Sequence, residues 1–475
     1  MSTQRPFLLL DPPSGNEFFR RASLREKDGA VRAPFPSIDL VLLSGAVREA
    51  GFRPMFLDAQ INRLSWRAVA EQARSHDVAG VLSLTSSAQL HPELAALAEL
   101  KTSLGNVPTY TVGNIINLKS SGGAPKLLEQ YPWLDGVVLN TAENNLTEVL
   151  ASRSTGEDAR ACRSPFNIAL RRGEEVIVPE NRVRYGESLH IPRPEHSIFQ
   201  DLRYFFPQSK RGPVTCSQFS FGCPFTCEFC IDNQLYRNML YRDVDDMVTE
   251  MVEIDRLGFR EVYFKDLTFG LNKGVTREFL EKLVAARLRL RWLCTSRVDV
   301  MTPETLALMK RAGCYGIEFG VEHANEVTRR RIDKRISDTR IRDVFAQCRR
   351  ARIEATAFIM LAFEDDTEED VRATIRFAQS LRPSYVSFNV VNALPGTAYE
   401  ERARREGFLR EGEGDYAFTS SNIKHRHLTP TKIAELRREA VRSFYFQPSA
   451  ILDRLLQLRS FFELRKLVRL GLGAI

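Results

Sequence analysis

The chain has 475 residues, of which 43% are hydrophobic and 27% charged, ordinary values for a soluble globular protein of two or three domains. Its 67 basic and 60 acidic residues give a net charge of +7. The excess basic residues are spread evenly along the chain, which does not favour nucleic acid as a partner. Eight cysteines do not form a disulfide scaffold at this length, and neither a secretory signal nor a membrane-spanning apolar run is visible. The composition therefore predicts a cytoplasmic protein whose clustered thiols bind metal or carry out redox chemistry.

The first part of the chain, residues 1–150, alternates short apolar runs with amphipathic segments. The predicted strands are 7–10, 53–57, 78–84, 109–112 and 136–139, and helices lie between them. This order is typical of a doubly wound, Rossmann-like parallel sheet. Ligands of such sheets lie beyond the carboxyl ends of the strands. The candidate ligand contacts at these ends are Asp11, Asp58, Thr85, Ser86, Ser87 and Gly113.

Residues 151–212 are rich in Gly, Pro and charge, and we predict a linker with a hairpin at 166–178. A second series of strands and helices fills residues 213–400, and its six repeats predict a partial (β/α)6 barrel of the TIM type. Its predicted strands are 214–220, 261–264, 291–295, 316–320, 355–361 and 385–390. The remaining residues, 401–475, are predicted to form a helical C-terminal region.

Three of the eight cysteines, Cys223, Cys227 and Cys230, lie within one eight-residue stretch with C-x3-C-x2-C spacing. Three thiolates on one loop can hold three corners of a four-iron cube and leave the fourth iron open to an external ligand. The alternatives are a zinc knuckle and cysteines that bind no metal. Zinc loops use a second cysteine pair or histidines, and none is suitably placed. The spacing therefore predicts a [4Fe-4S] cluster with a free coordination position.

The segment at 221–230, FGCPFTCEFC, resembles the cluster loop of the radical S-adenosylmethionine (SAM) superfamily. The resemblance continues through the barrel, at 262–269, 292–299, 316–322 with Lys334, and 394–397. One departure is the stretch 362–367, AFEDDT, where the family usually has a turn that contains Gly and Pro. The resemblance implies that SAM binds the open iron and is cleaved by the reduced cluster. The resulting 5′-deoxyadenosyl radical then removes a hydrogen atom from a small-molecule substrate.

Several further roles follow from the resemblance. By position at strand ends we assign the contacts to SAM to Asp266, Arg297 and Glu322, each of which could instead be an ion-paired surface residue. Phe229 would shield the cluster or pack near the adenine, although simple packing explains it equally well. Glu318 could point into the barrel. A protein such as flavodoxin or ferredoxin is the expected electron donor.

Residues 7–150 resemble the cobalamin-binding domain of the radical SAM class that carries both cofactors. The matching segments are 11–13, 40–51 with 56–59, and 83–87. The cobalt-ligating string D-x-H-x-x-G is absent from the sequence, so the resemblance implies cobalamin without histidine ligation. The family often carries a Gly-Gly pair near Gly113 and a Gly-Glu turn near Asn140, and neither occurs at these positions. The alternative is a cobalamin-type fold that serves only as a lid or substrate platform.

The leading hypothesis is cobalamin-dependent methylation of an unactivated carbon. The alternatives are radical cyclisation, rearrangement or oxidation, with or without cobalamin, and a non-catalytic iron–sulfur electron carrier. A methylthiolating enzyme would normally have further N-terminal cysteines for a second cluster, and residues 1–161 contain none. An amphipathic stretch at 451–470 fits either a helix packed on the barrel or a peripheral contact with a membrane, which would suit a hydrophobic substrate.

Overall fold

The computed structural model describes residues 4–13, 20–21, 24–25, 34–85, 90–113, 123–142, 144–154, 167–177, 189–232, 238–410, 419–446 and 462–463. These residues divide into two compact units. The first unit contains the described residues up to Tyr204 together with Thr215–Ser217, and the second contains the other described residues from Phe205 onward.

The first unit contains nine strands and five helices among its described residues. In chain order the strands are β1 (Pro6–Asp11), β2 (Arg20–Arg21), β3 (Leu24–Arg25), β4 (Arg53–Asp58), β5 (Val81–Leu84), β6 (Thr109–Val112), β7 (Gly136–Val138), β8 (Ile168–Arg172) and β9 (Glu175–Ile177). The helices are α1 (Ile38–Glu49), α2 (Trp66–Ser75), α3 (Leu90–Ser103), α4 (Gly123–Gln130) and α5 (Leu146–Ser154).

Seven of these strands form one sheet in the order β4-β1-β5-β6-β7-β8-β9, while β2 and β3 pair with each other. The first five strands of the sheet are parallel. The β8–β9 hairpin is added antiparallel at the edge, from within the stretch predicted as a linker. The parallel part has the 2-1-3-4-5 order of flavodoxin-like sheets, in which the winding reverses between β1 and β5. The predicted doubly wound sheet is therefore confirmed, and its expected ligand crevice lies beyond the ends of β1 and β5.

Alternation along the strands explains why helices cover both faces of this sheet. Phe7 and Leu9 of β1 belong to one apolar core, which they share with α1 and α5. Leu8 and Leu10 belong to a second core, which they share with α2, α3 and α4. A parallel sheet needs both faces buried in this way.

The remaining strands and helices belong to the second unit, except that Thr215–Ser217 of β10 are counted with the first. The strands are β10 (Val214–Ser217), β11 (Ser220–Phe221), β12 (Leu240–Tyr241), β13 (Glu261–Phe264), β14 (Arg291–Ser296), β15 (Cys314–Glu322), β16 (Glu354–Leu361) and β17 (Tyr385–Val390). The helices are α6 (Val244–Arg256), α7 (Lys273–Ala286), α8 (Pro303–Arg311), α9 (Glu326–Arg331), α10 (Asp338–Arg350), α11 (Glu368–Ser380), α12 (Ala398–Arg405) and α13 (Pro430–Tyr445).

Six of the strands form a sheet in chain order, β10-β13-β14-β15-β16-β17, with helices in the connections. The pairs from β13 to β17 are parallel. Long helices begin where a polar side chain accepts a hydrogen bond from the first-turn backbone, at Asp243, Asn272, Thr302, Ser337, Thr367 and Thr429. The predicted partial (β/α)6 barrel is confirmed, and its strand ends converge on the cysteine loop that follows β11.

The C-terminal region contains α13, as predicted, but the amphipathic stretch at 451–470 lies outside the described residues apart from 462 and 463. Within the described ranges, none of the helices has the length and apolar character needed to cross a membrane.

Helix α7 ends at Arg287, which adopts the left-handed conformation with a φ of 51°. A side chain at this position is strained, and glycine is the residue that helix C-termini favour there. We expect Arg287→Gly to raise the free energy of unfolding by about 0.5–1 kcal/mol, as measured by denaturant unfolding. Glu281→Gly, at an exposed position inside the same helix, should instead lower it by about 1 kcal/mol. Equal effects of the two substitutions would contradict the assignment of strain to Arg287.

Candidate iron–sulfur site

The cysteine loop follows β11, and two of its three thiols lie near residues that follow barrel strands. Cys227 is buried, whereas Cys223 and Cys230 are partly exposed. Cys223 Sγ lies 3.6 Å from Thr268 Oγ1, beyond the end of β13. Cys230 Sγ lies 4.0 Å from Asp232 Oδ2 in the same loop.

Two cations surround the buried thiol. Arg297, at the end of β14, places Nη1 3.6 Å from Cys227 Sγ and stacks its guanidinium 3.5 Å above the centre of the Phe225 ring. A fork of hydrogen bonds to Asp299, of 3.0 and 2.9 Å, fixes the guanidinium in this position. Burial raises the pKa of Cys227, and the charges of Lys334 and Arg297 oppose that rise. Because the thiolate is the metal-binding form, these cations favour a ligated cysteine.

Lys334 forms a buried ion pair with Glu322 at the end of β15, with 2.9 Å between Nζ and Oε1. Burial alone would lower the pKa of Lys334, but the Glu322 carboxylate outweighs this effect and the pKa rises. The pair occupies the space beside Gly320, where a Cβ would clash with both charged groups. The glycine in this strand therefore leaves room for the ion pair.

Asp266 lies behind the cysteine loop. Its carboxylate accepts hydrogen bonds from Phe219 N at 3.0 Å, Ser220 N at 2.6 Å and Ser220 Oγ at 2.5 Å. Burial raises the pKa of Asp266 to about 6, and these hydrogen bonds oppose the rise. The carboxylate thus holds the strand that leads into the loop.

The three residues predicted to bind SAM therefore have different surroundings. Arg297 lies beside Cys227. Glu322 is paired with Lys334, whose charge acts on the same thiol. Asp266 accepts a hydrogen bond from the backbone of β11. Their contacts to SAM stay predictions. Phe229 packs against the apolar cluster of Ile332, Phe363, Val391, Ala393, Tyr399, Ala403 and Ile423.

Sequence reasoning missed a polar layer inside the barrel. Glu318 does point inward, where Oε1 accepts from Gln208 Nε2 at 2.6 Å and Oε2 accepts from Tyr263 OH. Thr295 lies 3.4 Å from the same carboxylate, and Gln208 also donates to Thr356 at 3.3 Å. One polar side chain on each of the four neighbouring strands β13, β14, β15 and β16 was the signal for this layer, since barrel interiors are usually filled by branched apolar side chains.

The donor set of the loop is three thiols, the ligand type of iron–sulfur clusters. Among the described residues, no three His, Cys, Asp or Glu side chains are grouped closely enough to hold one metal ion. Each thiol of a cubane site binds a separate iron atom, and Arg297 and Lys334 place positive charge beside Cys227. The residues present therefore fit a cluster by the chemistry of their donors.

In the first unit, Asp58 and Asp11 are the last residues of β4 and β1. The Asp58 carboxylate accepts from Gln60 N at 3.0 Å, Ile61 N at 2.8 Å and Tyr204 OH at 2.7 Å. Burial raises the pKa of Asp58, although these hydrogen bonds lower it. Asp11 accepts from Gln60 Nε2 at 2.8 Å. Gln60 thus joins the two carboxylates at neighbouring strand ends.

Thr85 and Gly113 are in contact beyond β5 and β6. A Cβ on Gly113 would lie 2.8 Å from both the carbonyl oxygen and Oγ1 of Thr85, so the close approach requires glycine. Thr85 itself is buried and donates to Val112 O at 3.3 Å. Ser86 and Ser87, predicted to act with Thr85, lie outside the described residues.

Two buried hydroxyls on the same pair of strands provide a test of the cobalamin expectation. Ser83 and Thr111 are register partners on β5 and β6, and both are fully buried. Thr111 Oγ1 has no hydrogen-bond partner within the part of the chain that the structure describes. A buried hydroxyl without a partner, on the strands next to the expected crevice, fits a polar ligand such as the nucleotide tail of cobalamin.

The family model described as the radical SAM superfamily matches residues 217–378. The chain is 25% identical over 432 residues to an uncharacterized methyltransferase of Pyrococcus horikoshii, covering 90% of this chain and 91% of that protein. It is 24% identical to the anaerobic magnesium-protoporphyrin IX monomethyl ester cyclase of Cereibacter sphaeroides, covering 88% and 68% respectively.

Among solved structures, the radical SAM methyltransferase TsrM of Kitasatospora setae, with cobalamin and a [4Fe-4S] cluster bound, superposes with a TM-score of 0.67 at 16% identity and covers 99% of both chains. At this identity the match shows a shared fold, that of a doubly wound parallel sheet and a partial parallel barrel.

Proposed function

We propose that this chain is a radical SAM enzyme that methylates an unactivated carbon of a small-molecule substrate with the help of cobalamin. The observation that carries the proposal is the loop of three thiols with Arg297 and Lys334 beside Cys227. The first unit adds a flavodoxin-like sheet with a buried hydroxyl that has no partner among the residues the structure describes. The names of the Pyrococcus and Kitasatospora relatives support methyl transfer.

Each cofactor has proposed partners in the chain. Cys223, Cys227 and Cys230 would hold the cluster, and Asp11, Asp58, Thr85, Ser86, Ser87 and Gly113 would contact cobalamin. When bound, the cluster supplies the electron that cleaves SAM, and cobalamin supplies the methyl group. Arg297 and Lys334 place positive charge beside Cys227, and Asp266 fixes the strand that leads into the loop. Arg297, Glu322 and Asp266 are the proposed contacts to SAM.

Three further features belong to the proposal. An electron-donor protein such as flavodoxin or ferredoxin reduces the cluster. The enzyme is cytoplasmic, and its segment 451–470 supports a peripheral contact with a membrane when the substrate is hydrophobic. The amphipathic pattern of that segment is what supports this contact.

Cyclisation or rearrangement is the second candidate, and the similarity to the Cereibacter cyclase favours it. The two candidates share the cluster and differ in the fate of the methyl group of SAM. Only methyl transfer produces S-adenosylhomocysteine.

Anaerobic reconstitution with iron, sulfide and hydroxocobalamin tests the proposal. We expect about four irons per chain, a corrin spectrum that survives desalting, and both 5′-deoxyadenosine and S-adenosylhomocysteine after addition of SAM and reductant. If 5′-deoxyadenosine forms without retained corrin or S-adenosylhomocysteine, methyl transfer is wrong and the second candidate stands. If the cluster is reduced but SAM is not cleaved, the chain is an electron carrier.

A further inference from the structure

Glu228 introduces a negative charge into the loop that would carry the cluster. It lies between Cys227 and Cys230, and its side chain is 22% exposed. The positive iron–sulfur core offsets most of the charge of three thiolates, and reduction then adds an electron to the site. A carboxylate in the loop disfavours that added negative charge unless a cation neutralises it.

Arg402 supplies that cation. It lies on α12, which follows the last barrel strand. Its Nε donates to Glu228 Oε2 at 3.2 Å, and its Nη1 donates to Glu364 Oε1 at 2.7 Å. The guanidinium lies over the rings of Tyr399 and Phe408, 5.0 and 5.4 Å from their centres, and is nearly excluded from solvent. Arg402 thus joins the cysteine loop to a second buried carboxylate.

Glu364 anchors the far side of this arrangement. It lies in the stretch 362–367, where the sequence departs from the Gly- and Pro-containing turn of the family. Its carboxylate also accepts from Tyr399 OH at 2.7 Å and lies 3.3 Å from Arg331 Nη2. Ala362, at the start of the turn, has a φ of 64°, a conformation that an alanine adopts under strain. The departure from the family pattern thus contributes a carboxylate that holds Arg402.

The backbone of Glu228 is fixed by the same elements. Tyr399 N donates to Glu228 O at 2.9 Å, and Glu228 N donates to Ile332 O at 3.1 Å. The residue between two predicted cluster ligands is therefore held through its amide, its carbonyl and its side chain. Loss of the contact between Arg402 and the Glu228 side chain would remove one of these three restraints. It would also leave the Glu228 carboxylate without its cation.

We propose that Arg402 is a positioning residue for the iron–sulfur cluster, an inference that rests on the proposed function. Through Glu228 it fixes the part of the loop between Cys227 and Cys230, and it neutralises the loop's own carboxylate. Arg402 touches neither the thiols nor the substrate in this assignment. Its effect is on how tightly the cluster is held and on its reduction potential.

The test compares Arg402→Gln and Glu228→Gln with the wild type and with Arg404→Gln. Arg404 lies on the same helix, is 69% exposed and pairs only with Glu400 among the described residues. After anaerobic reconstitution, loss of the cluster to a chelator is followed by visible absorbance. We expect both glutamine variants at 402 and 228 to lose iron roughly 10-fold faster than wild type, as for other partners outside the ligand sphere. Arg404→Gln should match wild type.

The reduction potential separates positioning from a merely structural role. Arg402→Gln removes a positive charge near the cluster and should lower the potential, whereas Glu228→Gln removes a negative charge and should raise it. Unchanged potentials and wild-type iron loss in Glu228→Gln, which keeps the Arg402–Glu364 pair and so should fold, would overturn the inference. If the wild type itself binds no cluster, the proposed function fails instead.

Discussion

Replacement of Cys227 by alanine is expected to abolish formation of 5′-deoxyadenosine. Cys227 is the most buried of the three thiols and the one beside which Arg297 and Lys334 lie. Changing a residue that merely supports a ligand costs about 10–100-fold in metal affinity or activity. Removal of the ligand itself should therefore reduce SAM cleavage by roughly 100-fold or more, together with loss of the cluster's absorbance and of iron.

Cys348→Ala is the matched control for this experiment. Cys348 is also buried, but it lies on α10 within the apolar core of the barrel. We expect this variant to bind iron and cleave SAM as the wild type does. Cleavage that survives in Cys227→Ala, at the wild-type rate, would contradict the assignment of the cluster to the loop.

Replacement of Lys334 by methionine is expected to lower the free energy of unfolding by about 4 kcal/mol, because breaking a buried pair leaves the other charge uncompensated. The charge left behind is the carboxylate of Glu322, which is 6% exposed and held against Lys334 at 2.9 Å. Denaturant unfolding of the iron-free protein measures the loss without interference from the cluster.

A double-mutant comparison separates loss of charge pairing from loss of packing. Glu322→Gln combined with Lys334→Met buries no charge, so most of the stability should return. Lys282→Met is the control, because Lys282 pairs with Asp245 and Glu278 at the surface, where ion pairs contribute little. A double variant as unstable as the single one would show that the methionine is simply a poor fit.

Much of the fold followed from local pattern. The alternation of apolar strands and amphipathic helices predicted both sheets, because each element must bury one face whatever its partners are. The order of the strands in the first sheet was not predictable in the same way. That β1 lies between β4 and β5 depends on how the helices cover the two faces, and no short segment encodes this.

The limits are clearest at the predicted SAM residues. Their positions at strand ends were predicted from the barrel pattern, but the partner of each was not. Asp266 faces the backbone that precedes the cysteine loop, whereas Arg297 faces a thiol. A side chain's direction at a strand end depends on the turn that follows, and the sequence does not specify that turn closely enough.

The sequence by itself determined the three cysteines, since C-x3-C-x2-C spacing places three thiols on one short loop and covalent distance guarantees their proximity. Only the tertiary structure decided what surrounds them. Arg297, Lys334 and, through Glu228, Arg402 come from strands and helices that are distant along the chain. Contacts of this kind depend on the packing of whole elements, because a charge can be buried only where the fold brings an opposite charge beside it.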